Sequence, residues 1–455
     1  MKKKLLSQLF GGLVLGMMCS TATYAQLSVT GQVRTRSELR DGQGTLATPE
    51  ADPAFFTSQR TRLSLGYSGY RFKLYTSIQD VRVWGQDASS INRVTLDAND
   101  GLLMHEAWGE FALLDTTSSI DNLSLKIGRQ ELLYDDSRLL GNLDWLQQGR
   151  RHDLALLKLE NKGWTGHLGV AFNQNQERKT GVVYNGIPAG YGAGTNGIGT
   201  MYKSMQFLYL GRKLKGGNAS LLFLKDDFNK YHLESGARVW EQGVWSRFTT
   251  GAYVSATPLS NLNVTASAYA QRGKDKDGTK LEAHLLSAAA MYTVTPKFSI
   301  GPGVDYTSGN DPNSTDGVNR KFDPLYGTPH KFWGYMDYFY VADGFGKNGL
   351  VNYYLKSRYK ALDNLSFALD AHQFVAANDV MSPDAATTLD RNFGTELDLV
   401  VNYGITKVVN IEAGYSTLFA SNTLASPAVK NVPNAEKQAN WAYLMINIKP
   451  TIFTK

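Results

Sequence analysis

Nothing in this chain restricts its fold more than the strict alternation of polar and apolar side chains after residue 26. In residues 28–40, Ser28, Thr30, Gln32, Arg34, Arg36, Glu38 and Arg40 occupy one parity. Val29, Gly31, Val33, Thr35, Ser37 and Leu39 occupy the other. The same pattern returns near 164–173, at 262–271, at 393–403 (Phe393, Leu397, Leu399, Val401 and Tyr403 against Glu396, Asp398 and Asn402) and at 409–419. A period of two belongs to strands whose faces meet different surroundings. These segments often run about ten residues or more, whereas soluble strands cluster near 5–6 and a tilted strand crossing a bilayer needs about 9–11.

The connections alternate as well. Eight are tight: 67–70, 118–122, 161–163, 213–218, 258–261, 295–297, 361–364 and 404–406. Nine are longer, near 41–54, 83–103, 131–151, 174–200, 226–245, 271–280, 308–348, 376–391 and 420–438. Short turns at one end and long loops at the other is the transmembrane-barrel pattern. It predicts an all-β fold, an antiparallel up-and-down barrel of 18 strands, with 16 as the neighbouring count. The sheet must close, because an open edge in hydrocarbon leaves unpaired N–H and C=O groups costing several kcal/mol each.

Composition agrees. Aromatics at 11% argue against disorder, and no run of about 20 apolar residues follows the N-terminus, which argues against a helical membrane protein. Tyr67, Phe72, Trp164, Tyr292, Phe298, Tyr359 and Tyr403 sit near the tight turns as a girdle, and Trp441 to Phe453 alternates towards a terminal aromatic that assembly machinery would recognise. About 430 mature residues cannot hold both a 22-stranded barrel and a plug domain.

Residues 1–25 read as a signal peptide: Lys2, Lys3 and Lys4, an apolar stretch from Leu5 to Met18, and Thr23-Tyr24-Ala25 before the cut. Residues 26–455 are then one barrel in the outer membrane of a Gram-negative bacterium. Cys19, the only cysteine, leaves with the leader, so no disulfide is expected. Loss of the three lysines leaves 44 basic against 41 acidic side chains, which gives no basis for nucleic-acid binding.

An 18-stranded wall encloses water, and charges facing it set selectivity. Arg34, Arg36, Arg60 and Arg62 lie on the polar parity. Arg82, Lys126, Arg129, Arg138, Arg150 and Arg151 add basic groups, with Glu106 and Asp136 among their acidic neighbours. Arginine takes a carboxylate bidentately and stays charged, so these residues can form a ladder for an anionic, carboxylate-bearing solute. They can equally pair with the acids in a rigid network. Arg82 shares parity with Phe72, Leu74 and Ile78, and Arg129 with Leu125 and Ile127. Those two either stand beyond the bilayer or are turned inward by β-bulges. The polar stretch 131–150, with Leu139 to Trp145 at its centre, is suited to fold into the bore as a constriction.

At this point the chain resembles the alginate-export family of outer-membrane proteins. The carrying segments are Gln59-Arg60-Thr61-Arg62-Leu63, Ile78 to Gln86, His105-Glu106-Ala107-Trp108, Lys126 to Glu131, Tyr134 to Gly141, and His330 to Tyr338. The resemblance implies a monomeric 18-stranded barrel with an arginine-rich, anion-selective conduit for polyuronate. It matches Arg34, Arg36, Arg60, Arg62, Arg129 and Arg138 to that conduit.

Other constellations carry less. A membrane hydrolase needs a nucleophile, histidine and carboxylate at one depth. His372 with Asp370 and His152 with Asp153 do not meet that need, so no enzyme is expected. Asp311 to Gly317 looks like a calcium loop, but its glycine is one place late and the glutamate is missing. A solvated loop tip is the expectation there, and no other cofactor is indicated. Gly190 to Gly194 lacks the strand and helix of a phosphate site. The aromatic loop 322–345 suits either sugar stacking or packing. The sequence thus predicts a passive channel for anionic solutes, an alginate-like oligo- or polysaccharide foremost, with a porin lacking sugar preference as the alternative and an enzyme or adhesin as the rival class. Its expected partners are outer-membrane lipid, the assembly machinery and the anionic solute.

Overall fold

The computed structural model describes residues 26–85, 101–115, 117–174, 177, 179–181, 202–339 and 346–455. The signal peptide and the Gly190–Gly194 run lie outside these residues. The strands are β1 (Gln26–Asp41), β2 (Ala54–Gly69), β3 (Phe72–Val83), β4 (Leu103–Ala112), β5 (Asn122–Gln130), β6 (His152–Asn161) and β7 (Trp164–Phe172). Next come β8 (Ser204–Leu214), β9 (Gly217–Glu234), β10 (Ala237–Leu259), β11 (Leu262–Lys274), β12 (Lys280–Thr295), β13 (Phe298–Thr307), β14 (Leu350–Leu362) and β15 (Leu365–Ala376). A two-residue hairpin, β16 (Val380–Met381) and β17 (Thr388–Leu389), stands in one loop. The wall ends with β18 (Asn392–Gly404), β19 (Val409–Ala420), β20 (Gln438–Ile448) and β21 (Thr451–Thr454).

Every neighbouring pair is antiparallel, and both β20 and β21 pair with β1, which closes the sheet. Pro450 has no N–H to give, so the last strand breaks there and resumes as β21. Among the described residues the wall therefore counts 18 strands, with no separate plug domain. No helix among the described residues is long and apolar enough to cross a membrane. All eight tight turns fall between strands as expected.

Alternation sorts the side chains by face. Val33, Leu39, Leu65, Leu74, Ile127, Leu157, Leu168, Leu286 and Leu399 are exposed on the outer wall, and Phe72, Trp164, Tyr292, Tyr359 and Tyr403 ring the short-turn end. Inward residues include Gln32, Arg34, Arg36, Ser77, Gln79, Gln271, Asn352 and Asp370, all buried. Two bulges shift this parity. Between β3 and β4 the register slips at Ser77/Ile78, so His105 is an extra residue and turns inward beside Glu106. Between β15 and β18 it slips at Phe374/Val375, with Gly394 at φ 136°, which turns Phe393 inward although its sequence parity points out. The expected loop 226–245 is a second departure: β9 and β10 stay paired up to Glu234 and Ala237, with a register shift at Trp240/Val244. Their polar residues lengthen a hairpin because Tyr231 packs edge-on against Trp240 and Trp245.

The core is unusual for a barrel in that it lies inside the bore. Leu132, Leu139 and Leu140 from the 131–151 loop join Phe322, Leu325, Trp333, Met336 and Tyr338 from the 308–349 loop and inward wall residues such as Leu154, Phe207, Leu285 and Phe374. The constriction expected of Leu139–Trp145 is thus built by two loops.

Candidate functional site

β1 and β2 pair with Arg34 directly opposite Arg60 and Gln32 opposite Arg62. With Arg36 two residues on, the alternation gathers four guanidinium groups on one inward patch. Like charges this close need counter-charge, and the 131–151 loop supplies it. Asp144 reaches Arg60 at 2.8 Å and Arg34 at 3.2 Å. Gln147 Oε1 accepts from Arg34 at 3.0 Å, and the Trp145 carbonyl accepts from Arg36 at 2.8 Å. Glu38 holds both Arg36 and Arg40 at 2.8 Å. Burial alone would raise the Asp144 carboxyl, but Arg60 and Arg34 outweigh it and hold the group below its ordinary 3.8. The Arg36 guanidinium lies 4.1 Å from the Trp145 ring centre.

Trp145 then meets the second loop. Its ring stacks on His330 at 4.3 Å, and Trp441 and Tyr443 present edges to it from the wall. Tyr335 stacks on the other ring neighbour, His330, at 4.8 Å. Leu140 bridges Tyr326, and the Thr328 amide donates to the Ser137 carbonyl. Arg138 pins the junction: it pairs with Asp305 at 3.0 Å and Asp136 at 3.3 Å and lies over the Phe332 ring. Arg150 donates to the Gly327 carbonyl. The aromatic residues of 322–339 are packing in this arrangement; Tyr340 lies outside the described residues.

Of the residues singled out from sequence, Arg34, Arg36, Arg60 and Arg62 do face the lumen. The first three are at most 5% exposed and anchor the loop, while Arg62 donates to Gln79 and stands 3.9 Å from Glu131. Lys126 lies 3.9 Å from the Trp108 ring centre, whose indole donates to Glu106. Arg138, Asp136 and Arg150 belong to the junction, and Arg151 is half-buried just before β6. Arg82 and Arg129 are the corrections. They keep the outward parity of their strands, paired with Asp80 at 2.6 Å and Asp153 at 2.7 Å. The one nearby bulge sits on β4 and re-aims His105 instead.

Sequence reasoning passed over the basic groups on the far wall. Lys356 and Arg358 face inward from β14 and share Asp370. Lys158 on β6, on the same wall as Lys126, was passed over too and pairs with Glu110 at 2.9 Å. β5 and β14 stand nine strands apart, half the circumference. The signal was present as Lys356, Arg358 and Lys360 at one parity. At the short-turn mouth, a cavity of about 760 Å³ is lined by Lys297, Arg358, Lys360, Asn402 and Lys407, with Asp363.

The calcium-like loop offers no free cage, since Asp316 is taken by Arg320. His105, Glu106 and Glu131 present donor atoms within 4.8 Å of one another. There Glu131 already accepts from His105 at 2.7 Å and Asn142 at 2.7 Å, Glu106 accepts from the Glu131 amide, and Arg62 is close by. The trio is a hydrogen-bonded hub. His152 is likewise engaged by the Tyr202 hydroxyl.

The Alginate export family matches residues 25–175, the N-terminal third of the chain. A comparison with curated proteins finds no match. Among solved structures, Acinetobacter baumannii OccAB1 superposes with a TM-score of 0.60 at 12% identity, covering 94% of this chain and 97% of that one. Pseudomonas aeruginosa OccK3 (OpdO) gives 0.57 at 12%, covering 94% and 96%. Pseudomonas aeruginosa OccK2 (OpdF), in complex with glucuronate, gives 0.55 at 13%, covering 94% and 97%. The chain shares their fold. It is the fold typical of outer-membrane β-barrels of Gram-negative bacteria.

Proposed function

We propose that the protein is a passive outer-membrane channel for small anionic solutes, carboxylates foremost. The observation that carries this reading is the pair of opposed basic walls below the loop partition. Lys126 and Lys158 stand on β5 and β6, and Lys356 and Arg358 on β14. Arg358 is 41% exposed, Lys158 21% and Lys356 17%, so these groups can meet a solute. On the β14 side two cations share the single carboxylate of Asp370, and a low-dielectric wall with an excess of one sign concentrates the opposite ion beside it. The buried arginines of β1 and β2 serve the path indirectly, by holding the loop that narrows it. The reading assigns the chain no catalysis.

Glucuronate in the OccK2 complex is a carboxylate of the size class that a loop-narrowed bore suits. Planar-bilayer recording across a KCl gradient tests the proposal. Anion selectivity is expected, and K356Q/R358Q should move the reversal potential towards cations. A cation-selective pore, or no conductance, overturns it. A second reading, passage of polyuronate chains, is favoured by the Alginate export match over 25–175, which spans Arg34 to Arg138. Current block by alginate oligomers but not by glucuronate would select that reading.

A further inference from the structure

On the outer wall, Arg82 and Arg129 are each closed by an aspartate. Arg212 on β8 is not. Its half-buried guanidinium lies 4.7 Å from the Trp164 ring centre and donates to the Lys162 carbonyl at 2.7 Å, and no carboxylate among the described residues stands within ion-pair distance of it. The acids of this corner are engaged elsewhere. Asp121 accepts from the Lys162 amide at 2.7 Å, and Glu160 faces His167 inside the bore. Lys162 and Lys215 are exposed on the two adjoining turns.

From Arg212 a row of paired positions crosses the sheet through Ala219 on β9, Val254 on β10 and Ala266 on β11. The next row is Leu210, Leu221, Ala252 and Ala268. Arg212 is two residues from the short-turn end of β8 and Val254 five from that of β10, so the row climbs from the rim into the hydrocarbon as it crosses tilted strands. Alanines 219, 252, 266 and 268 leave the wall low beside Leu210, Leu221 and the Trp164 ring. A cavity of about 520 Å³ lies there on the lipid-facing side, lined by apolar side chains, with Arg212 at its edge.

Trp164 belongs to the aromatic girdle, which marks headgroup depth. A guanidinium at that depth offers its planar fork to phosphate oxygens when no carboxylate takes it. We propose that this corner binds an anionic glycerophospholipid of the phosphatidylglycerol kind, with its phosphate on Arg212 and one acyl chain laid along the alanine furrow. Lys162 and Lys215 add the positive field that draws a negative headgroup. In the furrow the chain meets protein atoms on its sides as well as beneath it, which multiplies dispersion contacts. Small residues also admit a second copy of this chain. A two-fold contact centred on the furrow, however, sets two Arg212 side chains at one depth on facing walls without counter-charge.

The test uses full-length protein in detergent, delipidated and then given dioleoyl phosphatidylglycerol or, in parallel, dioleoyl phosphatidylcholine. Melting temperature and lipid retention in native mass spectrometry are read. Wild type should melt higher with phosphatidylglycerol and retain it under conditions that strip phosphatidylcholine, and inorganic phosphate should give no shift. Arg212→Gln should lose the preference for the anionic lipid. Ala252→Leu and Ala268→Leu fill the furrow and leave Arg212 in place, and each should lower lipid retention. Equal behaviour of the two lipids in wild type overturns the proposal, as does an equal shift with inorganic phosphate alone. Undiminished retention in either kind of variant does so as well. A lipid-free dimer that Ala252→Leu dissociates would assign the furrow to a second copy and overturn it too.

Discussion

Asp144→Asn tests the loop anchor directly, because it removes one charge and little volume. In the wild type this carboxylate serves two guanidinium groups, Arg60 at 2.8 Å and Arg34 at 3.2 Å, whose side chains are 1% and 5% exposed. Stranding a buried charge costs about 3–5 kcal/mol. Asp144 itself is 47% exposed, so water screens part of the interaction. Gln147 and the carbonyls of Trp145 and Leu146 also remain as acceptors for Arg34. A net loss of about 1.5 kcal/mol on loop docking is the reasonable figure, roughly a tenfold rise in the undocked population. Hydrogen exchange of the peptide covering 139–150 reads that opening, and it should quicken about tenfold. Single-channel traces should become noisier as the partition loosens. Unchanged exchange together with unchanged traces would refute the anchoring argument. The pH dependence has a definite sign. The pairing lowers the folded-state value of Asp144, so its contribution is complete above 3.8 and disappears only as pH falls below that. Channel noise in the wild type should therefore stay flat from neutral pH down to about 4 and rise beneath it.

Two further substitutions separate lumen from wall. Arg82→Gln and Arg129→Gln should leave the reversal potential unchanged and alter stability by no more than about 1 kcal/mol, since both are part-exposed surface pairs on the outer face; a selectivity shift in bilayer recording would place them inside after all. Trp145→Ala removes the stack on His330 and the ring under Arg36. A loss of about 3–5 kcal/mol is expected for a buried aromatic, scaled down for its partial burial, together with a larger single-channel conductance.

Fold and candidate site were legible to different depths. The alternation of Val33 and Leu39 with Arg34 and Arg36 fixed both the strand and the direction in which the arginines point, because a period of two is a property of the backbone alone. The turn spacing likewise gave 18 strands, since hairpin ends need turn residues wherever the strands lie. Parity failed where an extra residue enters one strand. At His105 and Phe393 the bulge is created by pairing with a neighbour and leaves no mark on the strand's own pattern.

What those arginines do was not written in β1 and β2. Arg60 and Asp144 are 84 residues apart with β3, β4 and β5 between them, and only folding of the 131–151 loop into the bore brings them together. The opposition of Lys126 and Lys356 depends on closure of the sheet, which sets β5 and β14 half a circumference apart. The sharing of Asp370 by Lys356 and Arg358 depends on the register between β14 and β15. Local chemistry, read along the chain, therefore determined the strands, their faces and their number. Distances across the lumen were decided by the closed barrel and its inward loops, because neither burial nor ion pairing between remote segments has a local code.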